Sequence, residues 1–108
     1  MNIMKKNFKN VPVNRPQALL VHFEFVDPTA HSVNIAGTFN DWQPTSTPMI
    51  ALDTGRWAKD LLLSPGKYEY CLVVDGEWIP DKRAKESAPN PYGGLNSVLK
   101  VDTQMQRS

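Results

Sequence analysis

The sequence predicts an all-β domain, an immunoglobulin-like two-sheet β-sandwich of about seven strands. Nine prolines and six glycines divide its 108 residues into short segments, and no window sustains the apolar period of a helix. Several segments instead alternate apolar and polar residues, the pattern of a strand with one buried face. The clearest is YEYCLVVDGEW, Tyr68 to Trp78, in which Tyr68, Tyr70, Leu72 and Val74 recur at every second position. Asp75-Gly76 closes that run.

An Asp-Gly pair between apolar runs favours a two-residue hairpin turn with both residues at positive φ, where glycine has no Cβ to clash. With Val74 opposite Glu77, Val73 pairs with Trp78 and Leu72 with Ile79, and directly paired residues share a face of the sheet. Trp78 therefore falls on the side away from the Tyr68, Tyr70 and Leu72 stripe. An indole held there calls for a reason other than the core.

The remaining elements follow in order. Met1 to Pro16 is polar and basic and is expected to be a mobile arm. Residues 17–101 are expected to form the folded domain. Leu19 to Val26 alternates, with Leu19, Val21, Phe23 and Phe25 on one face and Leu20, His22 and Glu24 on the other. Asp27 to Ala30 turns the chain, and Val33 and Ile35 mark a second strand that ends at Gly37. Phe39 is expected to pack inward, and Asn40 and Asp41 to hold an Asx-type turn from which Trp42 projects. Met49 to Leu52 and Trp57 to Leu63 read as a hairpin around Asp53-Thr54-Gly55-Arg56, with Trp57 in the core. Pro65 and Gly66 occupy the central positions of a type II turn. Asp81 to Gly94 reads as one long loop of the kind that often carries function. Asn96 to Val101 is the last strand, and residues 102–108 form a polar tail.

Composition narrows the chemistry. A net charge of +1 gives no footing for a nucleic acid, and the basic residues of the arm lack interleaved aromatics. No run approaches the ~20 apolar residues of a membrane span, and no secretory leader is visible. A cytoplasmic protein is the expectation. The single cysteine, Cys71, leaves no internal disulfide, and its position in mid-strand reads as a modestly exposed structural thiol. His22 and His31 have no ligand partners at zinc spacing. No paired carboxylates in a cleft, nucleophile motif or phosphate-binding glycine loop is present, so no catalytic residue, metal or cofactor is expected.

What remains is a pair of indoles. Outside a core, an indole offers a large rigid apolar face with little side-chain entropy to lose, which makes it a common binding element. A glucose ring presents an apolar C–H face and a hydroxyl edge, so stacking plus a few amide hydrogen bonds satisfies both. The competing reading leaves Trp42 and Trp78 merely half-buried at sheet ends.

GTFNDW (Gly37 to Trp42), Gly55-Arg56-Trp57, SPGKYEYCLVVDGEW (Ser64 to Trp78) and GGLNSV (Gly93 to Val98) together resemble the glycogen-binding domain of the AMP-activated protein kinase beta subunit. The wider group is the family 48 carbohydrate-binding modules, which includes the N-terminal early-set domain of isoamylases and glycogen branching enzymes. The resemblance spans Gln17 to about Val101 and implies an early-set sandwich that binds α-1,4-linked glucans, such as glycogen, starch oligosaccharides or cyclodextrin, without cleaving them. It assigns the glucan cradle to Trp42 and Trp78 and a sugar-bridging amide to Asn96. Tyr92 stands where the family has a leucine that enters the ring of sugars, and Cys71 where it has a sugar-contacting lysine. These departures imply weaker binding or a shifted preference in glucan length or branching. A second expectation, from early-set domains that pack against enzymes, is an interaction module docking to a separate glycan-metabolising enzyme or to itself.

Overall fold

A computed structural model describes residues 18–102. The arm at residues 1–16 and all of the tail beyond Asp102 lie outside the described residues. Strands β1 (Leu19–Val26), β2 (Val33–Gly37), β3 (Ile50–Asp53), β4 (Arg56–Leu63), β5 (Gly66–Val74), β6 (Glu77–Ile79), β7 (Glu86–Pro89) and β8 (Leu95–Val101) build two antiparallel sheets. One has the order β1-β4-β3; the other runs β2-β5-β8-β7, with β6 also paired to β5.

The inward faces supply the core. Val21 and Phe23 of β1, Val33 and Ile35 of β2, Leu63 of β4, Tyr70 and Leu72 of β5 and Val101 of β8 pack together with Met49. Tyr70 meets Phe23 edge-on with ring centroids 5.3 Å apart. Phe39 leans on the same group, 6.5 Å from Phe23 and 6.1 Å from Tyr68. Trp57 is half-buried against it, as its place in the alternation requires.

β5 organises the five-stranded sheet, with β2 along one edge and β8 followed by β6 along the other. The hairpin register is the expected one: Val74 faces Glu77, Val73 faces Trp78 and Leu72 faces Ile79. Asp75 and Gly76 both lie at positive φ, 50° and 86°. The Asp75 carboxylate also accepts the backbone N–H groups of His31 and Ser32, each at 2.8 Å, so the turn is anchored to the β1–β2 loop. Those two bonds hold the carboxyl below the usual range.

Three local expectations change. β5 is buried on both faces from Tyr70 to Val73 rather than half-buried, and Cys71 is only 5% exposed. The reason is the chain at Leu95 and Asn96, which reaches over the outer face and accepts contacts from the Cys71 thiol at 3.7 and 3.4 Å. The stretch Asp81 to Gly94 is not one loop, because β7 pairs with β8 from Glu86↔Val98 to Pro89↔Leu95. ESAP carries no alternation to announce a strand; backbone pairing alone makes it one, and Pro89 is tolerated because β7 is an edge. Gly66 opens β5 at φ 157° rather than sitting near the +80° of a type II turn.

On the outer face of the three-stranded sheet, His22 lies between Glu24 at 3.0 Å and Asp60 at 2.6 Å. The hydrogen bonds to Glu24 and then Asp60 raise its pKa above the ordinary histidine value. A raised folded-state pKa contributes stability that is complete below the unfolded value and is lost as pH rises through the folded one. The Tm is therefore expected to fall as pH rises from the ordinary histidine pKa through the raised folded one, and His22→Gln to reduce that fall. Equal slopes for the two proteins would remove the ring from the account.

Candidate functional site

The first side chain of the site, Trp42, depends on how β2 ends. Gly37 pairs with Tyr70 so closely that a Cβ would come 2.6 Å from the Glu69 carbonyl oxygen and 2.7 Å from the Tyr70 Cβ. The chain then turns through a short 3-10 segment, Thr38–Asn40. The Asn40 carboxamide knots this turn: its oxygen accepts the Gly37 N–H at 3.0 Å, and its nitrogen donates to the Ile35 carbonyl at 2.9 Å and to the Thr47 hydroxyl at 2.8 Å. Asp41 and Trp42 follow at φ 56° and 58°. Left-handed backbone is costly for a bulky residue and persists only where its surroundings over-determine it. Here the Trp42 N–H closes the loop on the Gly37 carbonyl at 2.9 Å.

The second indole, Trp78, is set by the β5–β6 hairpin and is 46% exposed. The third wall is the β7–β8 connection, Asn90 to Gly94. Its tip carries Tyr92, 93% exposed. Asn96, one residue into β8, is 8% exposed. Its amide is largely committed: the nitrogen donates to Glu69 at 3.1 Å, while the oxygen accepts from Asn90 at 3.2 Å and from the Cys71 thiol at 3.4 Å. That leaves one N–H for anything else. The sugar-bridging role that the resemblance implies for Asn96 would have to use that N–H.

Trp42, Trp78, Tyr92 and Asn96 nevertheless line one open groove of about 780 Å³, together with Cys71, Asn90 and Leu95. None of the residues lining it carries a formal charge at neutral pH. Burial pushes the Cys71 thiol up, so the floor is neutral as well. A surface of this kind can stack flat apolar rings and exchange a few neutral hydrogen bonds. A second groove near His22 is different in character. Several of its charged groups already serve one another, with Arg83 at 3.5 Å from Glu24 and Lys100 at 3.2 Å from Glu86. Among the described residues, no group of three His, Cys, Asp or Glu could hold a metal ion. No helix there is long and apolar enough to cross a membrane.

Asn90 and Leu95 are site residues that the sequence reading missed. The available signal is Asn-Pro followed by Gly-Gly around Tyr92, a tight-turn composition.

The profile of the family described as the glycogen recognition site of AMP-activated protein kinase matches residues 20–107. Two Arabidopsis thaliana proteins are also similar. Protein PTST, chloroplastic, is 34% identical over 104 residues, which is 92% of this chain and 35% of that protein. Protein PTST homolog 2, chloroplastic, is 38% identical over 53 residues, 49% of this chain and 10% of that protein. The chain thus spans a minor part of the length of either relative.

The clash around Gly37 involves atoms of β5 that cannot swing aside. Gly37→Ala is therefore expected to cost about 1–3 kcal/mol of stability in urea unfolding, the usual range for overpacking. An unchanged urea midpoint would mean that β2 can move away from β5.

Proposed function

The chain belongs to the family of the glycogen recognition site of AMP-activated protein kinase, and from that premise we propose that it binds α-1,4-linked glucans without cleaving them, with sugar rings stacked on Trp42 and Trp78. One observation carries this reading. Two indoles, one from the loop after β2 and one from β6, line a single groove with Tyr92 at its edge and Asn96 in its wall. A glucan coil is curved, with apolar C–H faces turned to one side and hydroxyls to the other, so rigid rings flanking an open groove suit it. Tyr92 adds a third aromatic surface, and the remaining Asn96 N–H meets a sugar hydroxyl. Cys71 supplies no cationic donor, so affinity rests on stacking and neutral hydrogen bonds. The absence of charge along the groove favours a neutral glucan over an anionic one.

The domain that does this is residues 17–101, and it acts as a recognition module rather than an enzyme. Release of reducing ends from glycogen by the pure protein, abolished by one carboxylate substitution, would overturn that part.

A second reading, an interaction surface, is favoured by the other sheet. Leu20 and Leu62 are directly paired on its outer face and are 58% and 68% exposed, and Ile50 is 60% exposed. This face and the groove belong to different sheets, so contact with a glycan-metabolising enzyme or with a second copy is compatible with a bound glucan. Light scattering that finds a dimer, dispersed by Leu62→Glu, would support self-association.

Two outcomes are expected for the groove. Trp42→Ala and Trp78→Ala should each weaken β-cyclodextrin or maltoheptaose binding by about 2 kcal/mol, roughly thirty-fold, with the fold intact. Unchanged calorimetric titrations in both variants would defeat the stacking model. Binding by the wild-type protein should also be nearly independent of salt, since screening acts only on charged contacts. A steep loss of affinity on adding salt would point to an anionic ligand.

A further inference from the structure

Tyr92 is nearly free of the protein around it, yet its backbone is tightly held. Asn90 donates its N–H to the Gly94 carbonyl at 2.9 Å and accepts the Gly93 N–H at 3.3 Å, which closes the tip as a small loop. The Asn90 side-chain oxygen accepts two more N–H groups from inside that loop, Tyr92 at 2.9 Å and Gly94 at 3.0 Å. Gly93 takes the positive φ of 87° that the turn requires. Pro91 has its φ preset by its ring.

The other end of the same carboxamide grips the groove wall. Asn90 Nδ2 donates to Asn96 Oδ1 at 3.2 Å, and Asn96 Nδ2 donates to Glu69 Oε1 at 3.1 Å. This chain of bonds has a single allowed sense. Backbone N–H groups at one end can only donate and an ionised carboxylate at the other can only accept, so neither amide can flip without opposing like groups. The loop tip is thus fastened to β8 and β5 by a relay with a fixed orientation.

We propose that Asn90 is a positioning residue that holds Tyr92 at the lip of the groove before a glucan arrives. The proposal rests on the glucan reading above and adds to it a specificity device outside the stacking rings themselves. An exposed aromatic on a loose loop would be ordered only on binding, at a cost to affinity; one on a preformed loop avoids that cost. Tyr92 and Gly94, the backbone partners of Asn90, are both exposed. Removing the Asn90 side chain therefore touches none of the apolar core, and its one buried partner, Asn96, keeps its bonds to Glu69 and to the Cys71 thiol.

The test is a double-mutant cycle, with β-cyclodextrin titrated into wild type, Asn90→Ala, Tyr92→Ala and the double variant. Asn90→Ala is expected to bind roughly five- to tenfold more weakly, with a cooperative thermal transition retained. In the Tyr92→Ala background the same substitution should cost no more than about twofold, because the side chain it positions is gone. Losses that simply multiply, or wild-type affinity in Asn90→Ala, overturn the proposal. Amide hydrogen exchange on the free proteins gives a second reading that needs no ligand. The Tyr92 and Gly94 amides should be protected in wild type and unprotected in Asn90→Ala. Unchanged protection in Asn90→Ala also overturns it. A wild-type protein that binds neither β-cyclodextrin, maltoheptaose nor glycogen would defeat the glucan reading and this proposal together, whereas multiplicative losses in a protein that binds would defeat the Asn90 role alone.

Discussion

The register of the β5–β6 hairpin is the constraint on which the rest of this molecule depends. Side chains alternate along a strand with a period of two, so a slip of one residue would carry every one of them to the opposite face. At the observed register Trp78 sits across from Val73 on the outside, and Ile79 across from Leu72 on the inside. A shifted pairing would bury the indole and expose an isoleucine. Asp75 and Gly76 prevent this, because a two-residue turn with both members at positive φ fits the strand twist at one pairing. The Asp75 carboxylate strengthens the arrangement by binding the backbone of His31 and Ser32 on the neighbouring loop.

A second principle recurs around the groove: a side-chain amide ties down each of its two loops. Asn40 spans from Ile35 to Thr47 and thereby keeps Asp41 and Trp42 in a conformation that neither would choose alone. Asn90 does the same for the loop that bears Tyr92. Both loops leave rigid strands, β2 and β7, so the aromatic rings inherit the positional accuracy of the sheet. The conformational entropy lost in ordering these loops is expended on folding, not on binding.

Much of this architecture was legible in the residues themselves. The alternation of Leu19 to Val26 and of Tyr68 to Val74, the Asp-Gly turn and the outward Trp78 all follow from period-two patterning and turn chemistry, which act locally. What escaped was decided by distant partners. β7 is a strand because β8 is beside it, not because Glu86 to Pro89 has any strand-like pattern. Cys71 was read as modestly exposed because its neighbours in sequence say nothing of Leu95 and Asn96, which cover it from the far end of the domain. The commitment of the Asn96 amide was invisible for the same reason, since Glu69 lies across a strand pair and Asn90 across a loop.

Those two departures from expectation are one physical fact. A long cationic side chain at position 71 would have to leave β5 beneath Asn96 and Leu95, where the present residue is 5% exposed, and its partial burial would carry a desolvation cost. A thiol needs no such exit. It is small, it stays neutral because burial raises its pKa, and it offers a weak bond to the Asn96 oxygen that Asn90 also serves. Cys71 and Tyr92, the two positions where the chain parts from the lysine and leucine that its resemblance implies, are linked through Asn96 and Asn90: the thiol and the Asn90 amide meet at the Asn96 oxygen, and Asn90 braces the loop that presents the aromatic ring.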